Sequence, residues 1–252
     1  MTQIEVILTP AELPALAKRN LAETVCVVFD VLRATSTFVT ALHNGSKAII
    51  PVSEISEALA IRKKQPDVLL GGERNSVRIR AAQTGGIDFD LGNSPREYTP
   101  EKVRGKTIVS TTTNGTRALR ACAGAKMVLA ASFLNLTTTA KFIRQLCPSE
   151  VLLVCAGTRE NIANEDVLAA GALGEMLLRD SSRLAVSDSV ETALNACRKA
   201  KSNLFAAVSG AENARRLLAI PELRDDVAFC LRQDVYNLIA ALGRDGAIRI
   251  LI

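Results

Sequence analysis

The sequence predicts an α/β protein: a three-layer α/β/α arrangement around a mostly parallel sheet, with a helix-rich C-terminal portion. Three observations carry this. Seven short runs rich in Val, Ile and Leu recur through the first 155 residues, mostly continuous rather than alternating, as strands buried on both faces should be. Amphipathic stretches with helix start and stop signals lie between them. The resulting βαβα rhythm favours parallel strands with helices on both faces.

The expected strands are "IEVIL" (4–8), "TVCVVF" (24–29), "KAIIP" (47–51), "DVLLG" (67–71), "KTIVS" (106–110), "KMVLA" (126–130) and "EVLLVC" (150–155). "TPAE" at 9–12 carries the Thr-x-x-Glu capping box with Pro at the first helical position. "HNGS" at 43–46 supplies the Asn and Gly that end a helix. Beyond about residue 160 the chain reads as helical through "EDVLAAGALGEMLL", "VETALNACRKA" and "AENARRLL", and "AIRILI" after the turn-like "GRDG" reads as a final edge strand. No Pro/Gly/Ser-rich linker and no long-period repeat interrupts the 252 residues, so they are read as one domain.

Composition narrows the function classes. Apolar residues make up 48% of the chain, enough for a packed core. No apolar run approaches the roughly 20 residues of a membrane span. "MTQIEVILTP" has an acid inside its apolar run and no basic segment before it, unlike a signal peptide. The net charge of +5 is scattered and lacks interleaved aromatics, so neither nucleic acid nor a membrane is an expected partner. The six cysteines show no CxxC spacing and read as buried thiols of a cytoplasmic protein. The apolar C-terminal helices could also bury surface between copies in a homo-oligomer. A single histidine, His43, excludes a Ser-His-Asp triad and a His-rich metal site, and is expected at a helix end. GxSxG, GxGxxG and the Walker A lysine are all absent.

Ligands of open α/β sheets bind beyond the carboxyl ends of the strands, and the polar motifs of this chain fall there. "DVLRATST" places Asp30 at a strand end and Arg33 at the entry to a helix. "GGERNS" supplies Glu73 and Arg74, and "GTRENIANED" supplies Arg159, Glu165 and Asp166. "STTTNGTRA" sets Thr112, Thr113, Asn114, Gly115 and Thr116 between a strand and a helix, followed by Arg117. The loop "DFDLGNSPREY" contributes Asp90, Asn93 and Ser94. Singly, each has a plain structural role: Asp30 as a cap, Arg33 as a surface charge, the hydroxyl turn as an N-cap cluster. Together they suit a hard cation beside a phosphoryl group, because carboxylates and water ligate Mg²⁺ while guanidiniums and helix-end amides hold phosphate oxygens.

The segments "DVLRATST", "GGER", "DFDLGNSPREY" and "TTTNGTRAL" resemble, in order and spacing, the signature of the 2-phosphosulfolactate phosphatase family over roughly residues 25–175. "SGAENARRL" and "LRDDVAFCL" resemble it more loosely. The resemblance implies a Mg²⁺-dependent acid phosphatase of α/β/α architecture. Its substrate would be small and anionic, (2R)-2-phospho-3-sulfolactate, cleaved to sulfolactate and phosphate on a route to coenzyme M. Asp30 is expected to bind metal or attack phosphorus, Glu73 to bind metal or exchange a proton, and Asp90 to be the third metal ligand. Arg33 and the Thr112–Thr116 turn would bind the phosphoryl group, with Asn93 and Ser94 beside them. Arg74 would hold the carboxylate or sulfonate, and Arg117 could add a further contact. The alternatives are a phosphatase for another small acidic ester and a non-catalytic binder of an anionic metabolite.

Overall fold

The computed structural model describes residues 2–16, 18–179 and 184–251. In it the apolar runs become β1 (Thr2–Ile7), β2 (Thr24–Phe29), β3 (Ala48–Pro51), β4 (Leu69–Arg74), β5 (Val77–Arg78), β6 (Thr107–Thr111), β7 (Met127–Ala131) and β8 (Glu150–Cys155). Three short strands follow: β9 (Leu184–Val186), β10 (Ala240–Leu242) and β11 (Ile248–Ile250). Helices in the first half are α1 (Leu13–Leu16), α2 (Ala34–His43), α3 (Ile55–Lys64), α4 (Ala81–Thr84), α5 (Pro100–Val103) and α6 (Gly115–Ala121). The second half holds α7 (Leu136–Leu146), α8 (Asn164–Leu178), α9 (Asp188–Ala200), α10 (Leu204–Ser209), α11 (Glu212–Leu218) and α12 (Arg224–Cys230).

The strands form one sheet in the order β5-β4-β6-β3-β11-β10-β7-β2-β8-β1-β9. β2 shows why its sequence is a continuous apolar run. Val25, Val27 and Phe29 enter a core covered by α7, α8, α9, α11 and α12, whereas Cys26 and Val28 enter the opposite core beneath α1, α2 and α6. Each face of the strand is therefore dry, and the three-layer reading holds. The C-terminal helices share the first of these cores with β1, β2 and β8, so they are part of the same packing unit as the sheet.

Three expectations need correction. "AIRILI" forms not an edge strand but β11, in the interior of the sheet, antiparallel to β10 and to β3; its last residue, Ile252, lies outside the described residues. The "GRDG" turn closes the β10–β11 hairpin, with Gly246 at φ +77, and so places β11 between two partners. β4 runs on through "GGER", because Gly71 and Gly72 keep pairing with Ser110 and Thr111 of β6; Glu73 and Arg74 are strand residues, not loop residues. The thiols are all free, but only Cys26, Cys122, Cys155 and Cys230 are buried; Cys197 is half-buried and Cys147 is exposed where α7 ends in a left-handed turn.

The antiparallel steps β3–β11–β10–β7 make the parallel group β4-β6-β3 run opposite to the parallel group β7-β2-β8-β1-β9. Five neighbour steps separate β6 from β2. At about 20–25° of twist per pair they turn the strand direction by roughly 100–125°. The carboxyl ends of β4, β6 and β2 nonetheless reach one hollow, through Glu73, Thr112 and Asp30. Among the described residues no helix is long and apolar enough to cross a membrane.

Candidate active site

β2 ends at Phe29, and Asp30 follows with 8% of its surface exposed. Its carbonyl accepts from Thr35 N (2.9 Å), and its Oδ1 accepts from Ala34 N (3.1 Å). These bonds tie Asp30 to the first turn of α2, whose N-cap is Arg33, and fix the direction of its carboxylate. α2 is buried from Ala34 to Leu42, and the Leu32–Arg33 peptide before it is cis. Arg33 is buried too. Its Nη1 donates to Asp226 Oδ2 at 2.7 Å and its Nη2 to the Ser76 carbonyl.

The turn after β6 holds two carboxylates of the chain itself. Thr113 N (3.1 Å) and Thr113 Oγ1 (2.8 Å) donate to Glu73 Oε1, while Ser76 N donates to Glu73 Oε2 (2.8 Å). The amide of Gly115 donates to the Asp30 carboxylate. A Cβ on Gly115 would stand 2.7 Å from Asp30 Oδ2 and 2.8 Å from the Ala34 Cβ, so only glycine lets the turn approach this closely. Gly72 meets a similar demand, with φ +148 and its α-carbon against the Thr111 backbone.

Asp30, Leu32, Arg33, Glu73, Ser76, Asn93, Thr112, Thr113, Asn114, Asn213 and Arg216 line one hollow. Segments separated by more than a hundred residues therefore converge. Gly115 and Thr116 stand behind the turn, the Thr116 hydroxyl 3.3 Å from that of Thr112. Ser94 also lies outside the lining, with its hydroxyl donated to Asp226 Oδ1 at 2.7 Å. Three expected residues are elsewhere. Asp90 is exposed, its carboxylate taken by Arg62 and by the Leu70 amide (2.7 Å), so it is no partner of Asp30 and Glu73. Arg74 spends its donors on the Glu73 carbonyl (2.7 Å) and on Thr111 Oγ1 (3.1 Å), clasping β4 to β6. Arg117 points outward to Glu160 at 2.6 Å. His43, at the end of α2, stacks on Tyr236 with ring centres 4.2 Å apart.

Asn213, Arg216 and Asp226, from α11 and α12, were not singled out as site residues from sequence. They lie in "SGAENARRL" and "LRDDVAFCL", segments that resemble the family signature only loosely and whose polar density surface helices share. Behind the hollow, Asp166 joins two turns: Oδ1 accepts from Val31 N (2.8 Å) and Oδ2 from Gly157 N (3.0 Å). Glu165 Oε1 accepts from Asn213 Nδ2 at 2.8 Å, and the same amide donates to Thr158 Oγ1 at 2.6 Å. Arg159, from the same loop, is exposed.

Charge here is unbalanced. Among the described residues, five carboxylates, those of Asp30, Glu73, Glu165, Asp166 and Asp226, face the guanidiniums of Arg33 and Arg216 and, from the rim, that of Arg96, 3.5 Å from Asp226 Oδ1. Burial, helped by the charges of Glu73 and Glu165, pushes the Asp30 carboxyl up to about 7 against the amides of Ala34 and Gly115. Burial raises Glu165 as well, and burial with the charges of Glu165 and Asp30 raises Asp166 well above the carboxylate range. Glu165 Oε2 and Asn93 Oδ1 are buried without a hydrogen-bond partner. Excess carboxylate charge and orphaned oxygens are the donor chemistry of a hard cation. Among the described residues no three His, Cys, Asp or Glu side chains converge tightly enough to close a metal shell by themselves.

The fold and this hollow define an α/β protein with a polar hollow at its strand ends, lined by both carboxylates and guanidiniums. A family model for 2-phosphosulpholactate phosphatase matches residues 8–244. A protein of Caldanaerobacter subterraneus subsp. tengcongensis, named probable 2-phosphosulfolactate phosphatase, is 39% identical over 233 residues, covering 92% of each chain. One of the same name from Thermotoga petrophila is 41% identical over 222 residues, covering 86% of this chain and 88% of that protein. The chain belongs to the 2-phosphosulpholactate phosphatase family, whose members are phosphoric monoester hydrolases.

Proposed function

We propose that this protein is a Mg²⁺-dependent phosphatase that hydrolyses (2R)-2-phospho-3-sulfolactate to 3-sulfolactate and phosphate. The observation that carries the reading is the meeting of Asp30, Glu73, Arg33 and the 112–114 turn around one hollow. Family membership supports the substrate.

Asp30 and Glu73, with Glu165 behind them, would hold the cation. Bound there, Mg²⁺ supplies charge neutralisation and polarisation of a phosphoryl oxygen. Arg33 binds the phosphoryl group: Asp226 and the Ser76 carbonyl use one N–H of each terminal nitrogen, which leaves donors of the planar fork for a ligand. Thr112, Thr113 and Asn114 add short polar side chains on one wall and Asn93 on another, orienting the ester. Asp30 is the rigidly aimed carboxylate at phosphorus, held by the amides of Ala34 and Gly115. Trapping labelled phosphate on Asp30 separates direct attack by its carboxylate from attack by water.

A cytoplasmic setting, with neither nucleic acid nor membrane as partner, belongs to this proposal, and the free thiols support it through their fit to a reducing compartment. Association of copies through the C-terminal helices is compatible with this reading. A panel of phosphate monoesters assayed with and without Mg²⁺ tests it. Preferential, Mg²⁺-dependent release from phosphosulfolactate supports the proposal. Preference for another ester changes the substrate. Anion-dependent thermal stabilisation without phosphate release makes the protein a binder.

A further inference from the structure

A phosphosulfolactate site must hold a carboxylate and a sulfonate besides the phosphoryl group, and the residue expected to do so, Arg74, has its donors on Glu73, Ser53 and Thr111. Arg33 is 2% exposed and already neutralised by Asp226 at 2.7 Å. Arg216 differs from both. It lines the hollow from α11, one turn after Asn213, which lines it too. Its side chain is 33% exposed, and its contact is Glu212 Oε1 at 2.6 Å, a residue itself 41% exposed. An exposed pair of this kind is weak and easily exchanged. The planar guanidinium then suits a ligand carboxylate or sulfonate, which it can grip through two parallel bonds. Asn213 is held by Thr158 and Glu165, so this face of α11 is tied to the acidic wall rather than free to swing.

We propose that Arg216 is the specificity-determining residue of the site: it exchanges Glu212 for the non-transferred anionic group of the substrate, and so selects acidic phosphate esters over neutral ones. The inference rests on the phosphatase reading above, and the test separates the two. Arg216→Gln and Arg216→Lys are compared with the wild type on 2-phospho-3-sulfolactate and on glycerol 2-phosphate, which carries no second anion. Loss of a charged hydrogen-bonding partner is expected to raise KM for phosphosulfolactate about 30-fold in Arg216→Gln, with kcat within about threefold. kcat/KM on glycerol 2-phosphate should stay within about threefold, and Arg216→Lys should recover part of the KM. An equal loss on both esters, or an unchanged KM for phosphosulfolactate, overturns the inference while leaving the phosphatase reading intact. If the wild type cleaves neither ester, the phosphatase reading fails and thermal stabilisation by 3-sulfolactate alone decides. Stabilisation of the wild type that Arg216→Gln abolishes upholds the role of Arg216. Stabilisation that is absent from the wild type, or equal in both proteins, overturns it.

Discussion

Arg33 and Asp226, 193 positions apart in the chain, form an ion pair of 2.7 Å in which both side chains are almost wholly buried. Ser94 donates to the second oxygen of the same carboxylate at 2.7 Å. α12 is thereby tied to the start of α2 and to the 88–98 loop. Removing one partner strands the other charge in a dry site, so Asp226→Ala should cost about 3–5 kcal/mol. The double replacement Arg33→Met with Asp226→Leu should recover most of that loss and yet lack activity, since the phosphoryl-binding guanidinium is gone. Urea unfolding of the three proteins checks this; a double variant as unstable as the single one would contradict it.

Asp30 makes the metal-free protein sensitive to pH. Its folded-state value, about 7, lies well above that of an ordinary aspartate, 3.8, so its contribution to stability is complete below about pH 4 and is lost as the pH rises through 7. Asp30→Asn does not titrate. In EDTA it should match or fall below the wild type at pH 4 and exceed it at pH 8, by on the order of 3–4 kcal/mol in relative terms. Added Mg²⁺ should narrow the gap at pH 8 by stabilising only the wild type. Denaturation midpoints across that range give the answer, and parallel pH profiles for the two proteins would refute the assignment.

Gly115→Ala should disturb chemistry more than folding. The added methyl meets Asp30 Oδ2 and the Ala34 Cβ at 2.7 and 2.8 Å, and either the turn or the carboxylate must move. Overpacking of this size costs about 1–3 kcal/mol. A displacement approaching 1 Å at a reacting group can cost roughly 10²-fold in rate. Steady-state kinetics beside thermal melts separate the two effects; a fully active Gly115→Ala protein would show that the close approach is not needed.

Asp90 and Asp30 should part company on substitution. Asp30→Asn is expected to lower kcat by about 10³ or more, as the loss of a group acting on the developing charge does. Asp90→Asn removes only the partner of Arg62 and Leu70 and should leave kcat within about threefold, with a stability loss of about 1 kcal/mol. Comparable kinetic losses in both would return Asp90 to the site.

Much of the molecule was legible in the sequence because local rules governed it. The capping box at Thr9–Glu12 forms as spelled, with Glu12 Oε1 accepting from Thr9 N at 2.9 Å. The apolar run 24–29 is β2, and Gly45 follows the end of α2 at φ +91. Asp30, Glu73, Arg33 and the 112–114 turn were nominated because strand ends and short polar turns are where ligands meet α/β sheets. The three residues placed away from the hollow share a cause. Asp90, Arg74 and Arg117 carry the right chemical groups, but which direction a side chain faces depends on neighbours such as Arg62, Thr111 and Glu160 that come from other elements.

By itself the sequence determined that this chain builds a dry, mostly parallel sheet between two helical layers, and which short segments carry charge at the strand ends. Periodicity, capping and turn chemistry act over a few residues, and are therefore written in the order of the letters. Only the tertiary structure decided that the sheet reverses at the β10–β11 hairpin, that the hydroxyl turn is clamped by Glu73 and Asp30, and that α11 completes the hollow with Asn213 and Arg216 while Asp226 of α12 anchors Arg33 behind it. Those outcomes rest on twist summed over many strands and on charges that meet only when distant segments are buried together. Neither quantity exists within any single stretch of chain.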